Sequence, residues 1–136
     1  MPAPSSPPTL SRHGIDMVVE GDLLSVELPP RYEVEQLGEF LDTLAGYLHD
    51  RGELPWKMLV DISRVERTSS ETRRRFARFV EVENARIARD CRAFAVVATN
   101  ALQRGAITAI LWLRPVVLNN KVFGDRSEAE RWLNTI

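Results

Sequence analysis

The sequence predicts a single-domain α/β protein with a mixed, mostly parallel sheet and the element order β-β-α-β-α-β-α-β-α. Three observations carry that expectation. Two short alternating runs meet at Gly21-Asp22, which reads as a tight hairpin. Two other runs, Trp56 to Ile62 (WKMLVDI) and Ala93 to Ala98 (AFAVVA), are apolar nearly throughout, as strands buried on both faces of a parallel sheet are. Helical segments separate the later strands, and that alternation implies right-handed crossovers.

Each element follows from its residues. Residues 1–13 hold Pro2, Pro4, Pro7 and Pro8 with Ser5 and Ser6, and read as a disordered arm. Residues 14–136 form the domain. Ile15 to Glu20 and Leu23 to Leu28 are the hairpin strands, and Pro29-Pro30 stops the second. Glu33 to Asp50 carries Val34, Leu37, Leu41, Leu44, Ala45 and Leu48 on one helical stripe, with Gly52 as its stop. Ser70 to Arg89 is a second helix, with Phe76, Phe79, Val80 and Ile87 facing inward. Ala101 to Leu113 is a third helix, apolar nearly all round, with only Gln103, Arg104 and Thr108 on a wet side. A helix of that kind is buried or meets a partner. Val116 to Phe123 is a last strand, interrupted by Asn119-Asn120. Ser127, with Glu130 three residues on, opens a final helix that contacts the core through Trp132 and Leu133.

Composition narrows the function. The 136 residues suit one domain, and a chain of this size buries roughly two-thirds of its unfolded surface without a staple. The net charge of -1 gives no field that selects nucleic acid. No apolar run reaches the roughly 20 residues of a membrane span, and the N-terminus lacks the pattern of a signal peptide. A cytoplasmic location is therefore the expectation, and the excess of arginine over the two lysines, Lys57 and Lys121, reads as a GC-rich bacterial genome. Charge is uneven. Ile15 to Pro55 holds ten acids and two arginines, and Arg64 to Arg92 holds nine arginines and five acids. Such regions either solvate helix faces or pair across a dimer.

Reactive groups are few. The histidines are His13 and His49, and Cys91 is the only cysteine, so neither a metal nor a cofactor is expected. Arg92 beside Cys91 would lower a thiol pKa, but the plainer reading is a small residue at a helix–strand junction. Glu81 and Glu83 stand two apart and point different ways on a helix, and Glu83 falls near the apolar stripe. A half-buried Glu there either transfers protons or reaches an arginine. No nucleophile elbow, dinucleotide fingerprint or Walker loop occurs. The chain reads as a non-enzyme.

The stretch VDISRVERTSSET, Val60 to Thr72, gathers Thr68, Ser69 and Ser70 before the second helix. Thr68 with Glu71 three residues on has the spacing of a capping box. Topology and motif together resemble the STAS fold of anti-sigma factor antagonists and SpoIIAA-like proteins, with the SEC14 lipid-transfer fold as a further likeness. In those antagonists a strand ends in Asp-x-Ser-Gly-Val, and an Asp-Ser-Ser-Gly then opens a helix. The first serine of that second motif is phosphorylated by a partner kinase. Here Asp61-Ile62-Ser63-Arg64-Val65 occupies the first motif, and Ser70 stands nine residues after Asp61, at the acceptor's spacing. Arg64 replaces the glycine, Ser69 the aspartate before the acceptor, and Thr72 the later glycine. Arg67 sits where an apolar residue is usual. The resemblance implies Ser70 as phosphoacceptor, with Arg73, Arg74 and Arg75 beside it.

Two functions follow as expectations. The first is a regulatory or protein-interaction module, homodimeric through Ile107, Ile110, Leu111 and Trp112, with a regulatory protein or kinase as partner. The second is a carrier or sensor of a lipid-like small molecule, whose apolar pocket those same residues line, with Asn100 and Thr108 as its polar groups.

Overall fold

The computed structural model describes residues 9–12, 14–101, 103–105 and 119–136. They build one six-stranded sheet whose spatial order follows the chain, β1-β2-β3-β4-β5-β6. The strands are β1 (Thr9–Arg12), β2 (Ile15–Glu20), β3 (Leu23–Glu27), β4 (Trp56–Asp61), β5 (Cys91–Val97) and β6 (Asn120–Phe123). The first three pair antiparallel, and β3 to β6 pair parallel. The mixed, mostly parallel sheet is as expected.

β1 corrects the arm. Residues 9–12 follow the last proline of the N-terminal run, so each can donate to a ladder, and β2 offers them an open edge. The hairpin forms as read. Glu20 pairs with Leu23 across a two-residue turn, and Gly21 supplies the positive φ of 63° that the turn requires.

The helices are α1 (Val34–Asp50), α2 (Ser70–Val82), α3 (Asn84–Asp90) and α4 (Arg126–Leu133). α1 buries Leu37, Phe40, Leu41, Leu44 and Leu48 and ends before Gly52, at φ 69°. The expected single helix from Ser70 to Arg89 breaks at Glu83, which caps α2 and begins α3. α4 starts one residue before Ser127. Asp125 is its cap, accepting from the Ser127 amide at 3.2 Å, and Glu130 instead accepts from Arg126 at 3.0 Å. Ala101 and residues 103–105 are helical, and the rest of the expected helix up to Leu113 lies outside the described residues.

The sheet has two covered faces. α1, α2 and α3 pack against one, where Met17, Leu24, Trp56, Met58, Val60 and Val96 meet Leu41, Phe79 and Ile87. α4 covers the other, where Leu59, Ala93, Ala95 and Val97 meet Ala129 and Leu133. β4 is buried along its whole length. Leu59, fully buried at its centre, therefore joins the second core to the sheet. Leu59→Ala is expected to cost about 2–5 kcal/mol, read as a lower urea midpoint at unchanged slope.

Candidate functional site

Backbone geometry builds the site at the carboxyl end of β4. Asp61 ends that strand and is buried. Its Oδ1 accepts from the Ser63 amide at 2.9 Å, which turns the chain sharply out of the sheet. Its Oδ2 lies 3.6 Å from the Arg126 guanidinium at the start of α4. The loop that follows is pinned from two sides. Glu66 donates its amide to the Pro30 carbonyl at 3.0 Å. Gln103 donates from Nε2 to the Val65 carbonyl at 2.7 Å and the Ser63 carbonyl at 3.4 Å. Its Oε1 accepts from the Thr99 amide at 3.1 Å.

Gln103 is thus buried rather than on a wet helix face. Its amide satisfies loop groups that no strand reaches, which is why a polar side chain belongs there. The signal was present in the sequence. Asn100 precedes it by three, and the Asn100 Oδ1 accepts from the Gln103 amide at 2.8 Å as a helix cap does. Asn100 therefore caps this helical segment.

The hydroxyl cluster resolves into separate roles. Ser69, not Thr68, is the cap of α2. Its Oγ accepts from the Thr72 amide at 3.1 Å, and Thr72 Oγ1 accepts from the Ser69 amide at 3.1 Å. The capping box is shifted one residue from the expected Thr68/Glu71 pair. Thr72 wins because it is buried, so its hydroxyl must find partners, whereas Glu71 is exposed. Thr72 Oγ1 also donates to the Ser69 carbonyl at 2.9 Å, and Thr68 Oγ1 lies 3.0 Å from it. Thr68 in turn hydrogen-bonds the Tyr32 hydroxyl. Burial pushes the Tyr32 phenol above its ordinary value, against the Thr68 bond, which lowers it. Tyr32 was missed in the sequence because an aromatic after Pro29-Pro30 gives no periodic signal.

Ser70 is left as the first residue of α2, exposed to solvent. Arg73 and Arg74, three and four residues on, share its helix face and are exposed. Among the described residues neither closes an ion pair. Arg75 departs from expectation. It turns to α1 and donates to Asp42 at 2.9 Å and to the Gly38 carbonyl at 3.3 Å.

The other candidates fall elsewhere. Ile107, Ile110, Leu111 and Trp112, and Thr108 with them, lie outside the described residues. Cys91 is buried at the start of β5, and burial pushes its thiol up to about 12. At neutral pH almost none of it is thiolate. Arg92 beside it is exposed and does not offset the burial. Glu83 is buried at the α2–α3 break. Its Oε1 lies 3.1 Å from His49 Nε2 and 3.8 Å from Arg86 Nε. It ties the end of α1 to the break.

Among the described residues no three or more His, Cys, Asp or Glu side chains gather as a metal site. No helix among them is long and apolar enough to cross a membrane. The chain matches no family model and no curated protein. Among solved structures it is similar to an uncharacterized protein of the DUF3478 family, with a SpoIIAA-like fold, from Shewanella loihica PV-4. The TM-score is 0.67 at 16% identity, covering 98% of this chain and 99% of that one. It is also similar to the protein TM1081, solved by NMR, with a TM-score of 0.59 at 15% identity and the same coverage of each chain. The chain therefore has a SpoIIAA-like fold.

The cap assignment separates two adjacent serines. Ser69→Ala is expected to cost about 1 kcal/mol of stability, and Ser70→Ala less than about 0.5 kcal/mol. Denaturant melts of the two variants decide it.

Proposed function

We propose that the protein is a non-enzymatic regulatory module of a bacterial cytoplasm, acting through contacts with other proteins and switched by phosphorylation of Ser70. The observation that carries this reading is the division of labour at the start of α2. Ser69 and Thr72 close the cap between themselves. Ser70 is exposed and outside that closed pair, at the acceptor's place in the resemblance. A phosphate in the first turn of a helix is favoured by the helix dipole. Arg73 and Arg74 on the same face supply cations to it or to a docking kinase.

Two further observations support the non-enzymatic half. The Cys91 thiol is buried with its pKa pushed to about 12, unsuited to nucleophilic attack. The buried Glu83 carboxylate is already met by His49 and Arg86.

The test is made on protein purified from its native host. Intact mass is expected to show a population one phosphate heavier, mapped to Ser70 and lost in Ser70→Ala. Partner capture with Ser70→Ala and Ser70→Asp as baits is expected to differ in at least one bound protein. Absence of the phosphate together with identical captures would overturn the proposal.

A further inference from the structure

We infer that the outer face of α1 and α2 is a self-complementary surface that takes a second copy of this chain. The inference rests on different observations from the Ser70 reading, although Arg74 enters both.

α1 and α2 lie side by side and run in the same direction, since each returns the chain from one parallel strand to the start of the next. Cross-helix contacts fix their level. Arg75 meets Gly38 and Asp42, and Arg86 meets Leu48 and Gly52, at sequence separations of 33 to 38. Glu39 is thus level with Arg74, and Asp42 with Arg78.

The turn of about 100° per residue places Glu35, Glu39, Asp42 and Gly46 opposite the buried stripe of α1. It places Glu71, Arg74, Arg78 and Glu81 opposite the buried side of α2. All eight are exposed, and Asp42 also contacts Arg75. Between the helices runs a groove of about 320 Å³ with Ala45, Phe79 and Val82 as its apolar lining. Val82 is 68% exposed, one of two large apolar side chains so exposed among the described residues.

Charge selects how a second copy sits. A two-fold axis in the interface plane and parallel to the helices lays α1 of each copy over α2 of the other, at the same level. Glu39 then meets Arg74, and the second oxygen of Asp42 meets Arg78, each contact made twice. Gly46 has no side chain to oppose Glu81. Val82 meets Val82 of the other copy across the axis and leaves water. Glu35 falls level with Ser70 and Glu71 at the rim, where salt screens like charge. An axis across the helices would instead lay α1 on α1, acid against acid, which electrostatics disfavours.

The experiment is sedimentation equilibrium over a dilution series on wild type, Glu39→Arg and Arg74→Glu. Both positions are exposed, and circular dichroism verifies that each variant is folded. Wild type is expected to be a dimer that salt weakens. Each reversal alone is expected to raise the dissociation constant about tenfold or more. Mixing the two reversed proteins is expected to restore dimerisation, because each then meets its opposite charge at both contacts. A wild type monomeric at every concentration would overturn the inference. So would reversals that leave the dimer unchanged, or a mixture no tighter than its components.

Discussion

Burial of β4 on both faces is the constraint on which the rest of the structure depends. Every residue from Trp56 to Asp61 is buried. Alternation along a strand sends Met58 and Val60 to the α1–α2 side, and Lys57, Leu59 and Asp61 to the α4 side. Two of those last three are charged, and a buried charge must be met. Lys57 Nζ donates to the Leu133 carbonyl at 2.9 Å, at the end of α4, where the helix dipole favours a cation. Asp61 faces Arg126 at the start of α4. The two polar positions of β4 therefore hold both ends of α4 and set it antiparallel to the strand. Leu59 lies between them.

The same residue that holds α4 also begins the candidate site. One oxygen of Asp61 turns the chain at Ser63, and the other faces Arg126. From that turn, Gln103 and the Pro30 carbonyl fix the loop, and the Tyr32–Thr68–Thr72 hydroxyls fix the start of α2. Ser70 is presented on a rigid support while its own side chain stays exposed. A surface group that is itself unburied but stands on ordered backbone suits recognition by another protein, because little entropy is lost on binding.

Much of the fold was legible because burial writes itself into periodicity. β4 and β5 are apolar runs, α1 carries a stripe, and Gly21 and Gly52 mark places where φ turns positive. β1 was not legible, since an edge strand needs little apolar signal and proline density next to it masks the four residues that pair. The break at Glu83 was missed because the inward stripe runs on to Ile87 across it. At the site, Asp61, Ser63 and Ser70 could be named from spacing. Ser69 as the cap could not, because choosing it over Thr68 depends on the burial of Thr72. Gln103 and Tyr32 act through contacts distant in sequence, which spacing does not encode.

The most direct test of the account is residue-resolved amide hydrogen exchange. Leu59 and Val60 are predicted to exchange only through global unfolding, as the centre of the sheet does. The Ser63 amide, donated to Asp61, and the Thr72 amide, donated to Ser69, are predicted to be protected well above the exposed loop residue Arg67. Ser63 and Thr72 exchanging as fast as Arg67, with β4 still protected, would contradict the claim that β4 carries its order into the site.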